Sequence, residues 1–90
     1  MKAMWRGQVI AESDETREVG GYFYFPRSSV QMELFSASEK TGSDKECPHG
    51  VQFYDLAGSK RAAWSYEAPK ESMKQVDHWM GFWGDVNVSP

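Results

Sequence analysis

The sequence predicts a mainly β domain: two packed antiparallel sheets of short strands, with one short helix near the C-terminus. Three observations carry that prediction. The chain holds four Trp, four Tyr and five Phe, while its only leucines are Leu34 and Leu56; such a core suits pleated surfaces better than a helix bundle. Turn signals recur at Asp14-Glu15, Gly20-Gly21, Gly58-Ser59 and Gly84-Asp85, spaced as in a meander. A length of 90 residues leaves room for one core, and so for a single domain spanning 1–90.

Taken in order, Lys2–Arg6 and Gln8–Ser13 read as strands broken at Gly7, and Thr16–Val19 as a strand returning after Asp14-Glu15. Gly20-Gly21 permits positive φ and so a tight turn. Tyr22–Phe25 follows as an aromatic strand, stopped by Pro26, which has no N–H for a ladder. Arg27–Val30 suits one helical turn, and Gln31–Phe35 an extended segment with Met32 and Leu34 on one face. Ser36–Glu46 is polar and reads as the longest loop. Val51–Leu56 and Arg61–Tyr66 form a hairpin around residues 57–60, and Pro69 ends it. Lys70–Asp77 favours a short helix with Met73 and Val76 facing inward. His78–Trp83 fits either continued helix or strand, and Val86–Val88 a last strand.

Charge and hydropathy narrow the function classes. The net charge is −3, the mean hydropathy −0.65, and the only adjacent basic pair is Lys60-Arg61. A nucleic-acid partner requires a clustered basic stripe, so none is expected. No stretch approaches the ~20 apolar residues that span a bilayer, and the N-terminal MKAMWRGQVIAES has no apolar signal-peptide region. The one cysteine, Cys47, forms no internal disulfide framework and suits a reducing compartment. The expectation is a soluble cytoplasmic domain without membrane or nucleic-acid partners.

Few residues carry chemistry. Cys47-Pro48-His49 places a thiol near an imidazole; it reads either as an enzyme's nucleophile or redox thiol, with His49 or the distant His78 as base, or as a cysteine capping a loop. The first reading needs a cationic neighbour, and Lys45 is the nearest in sequence. Cys47, His49 and His78 are too few for a four-ligand zinc site and lack ligand spacing, so neither metal nor cofactor is expected. Glu12, at a strand end beside apolar residues, is either an acid–base carboxylate or a solvated charge. Trp5, Tyr24, Trp64 and Tyr66 offer ring faces with polar handles, so they could wall a pocket between the sheets or form core. In that pocket Glu12 and the Cys47–His49 loop would stand at the mouth. The aromatic surplus points to a small-molecule binding module whose ligand the residues do not specify.

Several strings, in order, resemble one family: WRGQVIAES at 5–13, YFP at 24–26, CPHG at 47–50, FYDL at 53–56, AAWSY at 62–66 with Pro69, and GFW at 81–83. Together they resemble the domain-of-unknown-function family 427 along nearly the whole chain. The resemblance implies a β-tent fold and a small domain found in bacteria and occasionally in fungi or plants. It also implies a nucleotidyltransferase-like heading that carries no established activity. Its marked positions fall on Trp5, Gly7, Ala11, Glu12, Ser13, Tyr24, Phe25, Pro26, Cys47, Pro48, Gly50, Tyr54, Trp64, Tyr66 and Pro69. The family's Cys-Pro-aromatic-Lys-Gly is here Cys47-Pro48-His49-Gly50, without the lysine. A nucleotidyltransferase also needs paired metal-holding carboxylates. No D-x-D or D-x-E follows Gly58-Ser59, and Asp14 and Glu15 point to opposite sides of an extended chain.

Trp64 is the residue expected where core and pocket meet, because Ala62 and Ala63 before it let a neighbouring strand approach. Trp64→Ala should therefore cost about 3–5 kcal/mol, measured by urea denaturation; an unchanged midpoint would place the ring in solvent.

Overall fold

Why the strands form where they do follows from the turns between them. In the computed structural model, which describes residues 1–90, Arg6 and Gly7 both have positive φ, 50° and 79°. That is the backbone of a two-residue hairpin turn whose twist matches its strands. It joins β1 (Lys2–Trp5) to β2 (Gln8–Glu12) in antiparallel register. Gly20 and Gly21, at φ 62° and 88°, do the same for β3 (Arg17–Val19) and β4 (Tyr22–Phe25).

Later elements are β5 (Ser36–Ala37), α1 (Gly42–Glu46), β6 (Val51–Leu56), β7 (Ser59–Tyr66), β8 (Met80–Phe82) and β9 (Val86–Ser89). They assemble into two antiparallel sheets. One has three strands in the order β2-β1-β9, and the other six in the order β3-β4-β8-β7-β6-β5. The expected mainly β architecture of two antiparallel sheets is therefore present, without the simple meander. Asp14-Glu15 carries the chain from the small sheet to the large one, and Gly84-Asp85 brings it back.

Three segments differ from the sequence expectation. Gln31–Phe35 is not extended: Met32–Leu34 is a 3-10 turn, anchored because the Gln31 N–H donates to the Ile10 carbonyl at 2.9 Å. The turn lets Met32, Leu34 and Phe35 all pack on the same core, which an alternating strand cannot do. The Ser36–Glu46 loop holds β5 and α1. Its helix starts at Thr41, whose hydroxyl accepts the Asp44 N–H while the Asp44 carboxylate accepts the Thr41 N–H. The helix expected over Lys70–Asp77 is a 3-10 helix, Glu71–Val76, with Val76 buried and Met73 half-buried as its pattern requires. His78–Trp83, ambiguous in sequence, contains the strand β8.

The large sheet is covered on both faces. Its inner face meets the small sheet across Ala3, Ile10, Ala11, Phe25, Leu56, Ala63, Met80 and Phe82. Its outer face carries a second cluster, Tyr24, Val51, Trp64 and Val76, with Met73, Cys47 and Tyr66 packed around it. Trp64 is opposite Gly81 in the β7–β8 register. A Cβ on Gly81 would lie 2.8 Å from Cε2 and Cζ2 of the indole. Glycine here has ordinary φ; it is required because the ring occupies the space a side chain would take.

Gly81→Ala should therefore lower stability by about 1–3 kcal/mol through overpacking, read from chemical denaturation. The cost should shrink in a Trp64→Phe background, because a phenyl ring lacks the clashing benzo atoms. Equal costs in both backgrounds would show that the contact with Trp64 is not the reason for the glycine.

Candidate functional site

Trp64 organises an aromatic layer on the outer face. Its ring meets Tyr22 edge-on at 5.0 Å between centroids, Tyr24 at 6.0 Å and Trp83 at 5.2 Å. Its indole N–H donates to the Tyr24 hydroxyl at 3.3 Å. Burial pushes the Tyr24 phenol up to about 12, so it stays protonated at neutral pH.

Of the residues singled out in sequence, the structure gathers five. Tyr24, Trp64 and Tyr66 share the layer, Cys47 packs against it, and the His49 ring lies 5.4 Å from Tyr66. The other two lie elsewhere. Trp5 packs on the inter-sheet core, and exposed Glu12 ends β2 opposite Lys2. The space between the sheets, expected to hold a pocket, is filled by Ile10, Phe25, Met80 and Phe82. No hydrogen bond joins Cys47 to His49 or His78. Instead His49 Nδ1 accepts the Lys70 N–H at 3.0 Å, and His78 Nδ1 faces the Asp77 carboxylate. No group of three or more His, Cys, Asp or Glu is placed to hold a metal ion.

The chain carries one open groove, of about 610 Å³, between the β6–β7 turn and the segment joining β8 to β9. Gly58, Ser59, Lys60, Arg61, Ala62, Trp83, Gly84 and Asp85 line it. Two of these fix its shape. Trp83 is 42% exposed, yet its ring is stacked on Phe53 at 5.8 Å and its N–H donates to the Arg61 carbonyl. Ser59 accepts the Trp5 indole N–H at 3.0 Å and donates to Asp85 at 2.9 Å. Trp5 thus reaches the groove only through Ser59. Gly58-Ser59, weighed in sequence as a nucleotidyltransferase turn, faces a single carboxylate.

Arg61 is the most constrained residue of the lining. It sits in β7 with φ 54°, and its guanidinium grips the Asp44 carboxylate with two bonds of 2.9 Å. The same guanidinium lies 3.8 Å from the Phe53 ring centroid. Its backbone N–H donates to Asp55 at 2.8 Å, and Asp55 also accepts from Ser38. The Arg61 contact holds Asp44 well below the usual carboxylate range, with the Thr41 N–H adding to it. Ser38 lowers Asp55, followed by the Arg61 N–H.

A second polar constellation lies at one end of the large sheet's inner face. Glu67 accepts from Tyr54 at 2.7 Å, Ser65 at 3.0 Å and Arg27 at 3.3 Å. Burial alone would raise the Glu67 pKa, but the Tyr54 and Ser65 bonds and the nearby positive charges outweigh it, and the net shift is downward. The groove does not extend to these residues. Neither constellation was evident in sequence, since Arg27 and Glu67 are 40 residues apart and Arg61 and Asp44 are 17 apart. The Thr41–Asp44 spacing of a capping box is the one local pattern that could have pointed to Asp44.

Asp44, Asp55 and Glu67 are all more acidic folded than unfolded. The stability they contribute is present above their unfolded values, 3.8 for Asp and 4.5 for Glu, and is lost as pH falls through the lower folded values. Acid titration of the folded fraction should show a steep loss below about pH 4. Asp44→Asn should flatten that limb while lowering stability at pH 7. An acid limb unchanged in the variant would remove Asp44 from this role.

No curated protein matches the chain. A family model does, over residues 1–89: the chain belongs to the family described as Domain of unknown function (DUF427), under the heading NTP_transf_9.

Proposed function

We propose that the chain is a small-molecule binding module whose site is the groove beside Trp83. One observation supports this above others: a half-exposed indole, immobilised on three sides, borders an open groove. A large ring left in water gains free energy by covering its apolar face, about 25 cal/mol per Å² removed from water. Phe53 behind it, Trp64 at its edge and the Arg61 carbonyl at its N–H fix it in place. A ligand stacking there loses little by ordering the protein, because the ring is already ordered. Lys60 supplies a polar group that would orient it.

The rival thiol chemistry draws less support. Cys47 is half-buried as the C-cap of α1, and its neighbouring imidazole is engaged by the Lys70 N–H. A nucleophile needs a base within reach of its sulfur.

Screening by differential scanning fluorimetry against small planar aromatics should find compounds that raise the melting temperature of the wild-type chain. At 100 times Kd a ligand stabilises by about 2.7 kcal/mol. Trp83→Ala should abolish that shift and still fold, since Trp83 belongs to neither buried cluster. Hits that stabilise both proteins equally would place binding elsewhere.

A further inference from the structure

We infer that the groove takes a planar ring bearing an anionic group; this rests on the groove reading above and names its ligand class. The chain as a whole is acidic, at −3. Its groove is not. Two of the lining residues, Lys60 and Arg61, are cationic and one, Asp85, is anionic. A third cation, Arg6, projects over the groove's Gly58, where an added Cβ would lie 2.9 Å from its Nη2.

The availability of these charges decides which can meet a ligand. Arg61 spends its guanidinium on Asp44 and Phe53, so it shapes the wall. Asp85 accepts the Ser59 hydroxyl, which directs part of its carboxylate away from a ligand. Lys60 and Arg6 remain. Neither makes a salt bridge, and neither donates a side-chain hydrogen bond to another protein group. Arg6 rests on the Trp5 ring at 4.8 Å, which orders the guanidinium without neutralising it. Lys60 lines the groove and Arg6 reaches over its Gly58; Lys60 feels Asp55 only through space and neither cation is in a salt bridge, so both can meet an anion. Trp83 supplies the ring surface across the groove. A single ligand satisfies both features only if it carries an unsaturated ring and an anionic group together.

The test uses isothermal titration calorimetry of the whole chain with 2-naphthyl phosphate, 2-naphthol and inorganic phosphate. Naphthyl phosphate should bind wild type at least about tenfold more tightly than naphthol, the effect of one charge-assisted hydrogen bond. Raising the salt should weaken the phosphate ester and leave naphthol unaffected. Lys60→Gln and Arg6→Gln, each at an exposed side chain, should erase most of the difference while keeping the wild-type melting temperature. Equal affinity for ester and naphthol would overturn the anionic class and leave the groove reading standing. Inorganic phosphate binding as tightly as the ester would overturn the ring. Binding of the ester that is indifferent to Trp83→Ala would bring down the groove reading itself.

Discussion

The indole of Trp64 seated on the bare backbone of Gly81 is the contact on which the outer half of the molecule depends. A strand pair normally keeps a side chain at every position, and rings stand off the sheet by the height of their neighbours' Cβ atoms. Removing that Cβ lets the largest side chain drop onto β8, 2.8 Å from where the atom would be. From there its N–H reaches Tyr24, its edges meet Tyr22 and Trp83, and Phe53 closes the side. A small domain has too few aliphatic residues for two independent cores. Here one aromatic layer makes the second core from rings that each bury much area. Because Trp64 lies low, Trp83 can lie against it and still face the groove.

This arrangement explains why the open groove is at an edge and not between the sheets. The inter-sheet space is narrow, filled by Ile10, Phe25, Met80 and Phe82, which are almost wholly buried. Carving a ligand cavity there would expose those groups at a cost comparable to the whole stability of a domain this size. Two turns at the end of the large sheet enclose a groove without removing any core atom. The same geometry gives the groove its polar character, since turns present backbone groups and short polar side chains.

The sequence made the strands legible because its turns have local chemistry: Gly7, Gly20-Gly21 and Gly58 all adopt the positive φ for which glycine is suited. The aromatic pairing of Trp64 with Tyr66 on one face was legible from the two-residue period. What was not legible is whatever joins distant residues. The sheet to which a strand belongs is decided by inter-sheet packing, so the strands after Asp14 and after Gly84 crossed between sheets where a meander was expected. Residue type alone pairs Trp5 with Trp64, yet Trp5 packs on the other core. The groove escaped because its key residue, Trp83, ends an ambiguous segment, and its partners come from the opposite side of a hairpin. Gly81 within MGFW did carry a local signal of close approach, since glycine inside a strand has no side chain to pack.

Arg61 shows how the fold meets the cost of building this edge. A non-glycine residue in the left-handed region costs about 1–2 kcal/mol, and Arg61 adopts it within a strand, beside an irregularity of register between Tyr54 and Leu56. Regular β geometry would carry Arg61 in phase with Ala63 on the inner face. The left-handed kink instead sends its carbonyl to Trp83, its N–H to Asp55, and its guanidinium to Asp44 over Phe53. The contacts come from α1, from β6 and from the segment after β8, so no neighbour can relax the kink without losing its own bond. The strain is thereby held in place by the same groups that order the groove wall. Such stored strain is characteristic of positions where geometry is kept for a purpose other than stability. It ties the helix cap at Thr41–Asp44, otherwise remote, to the orientation of the Trp83 ring.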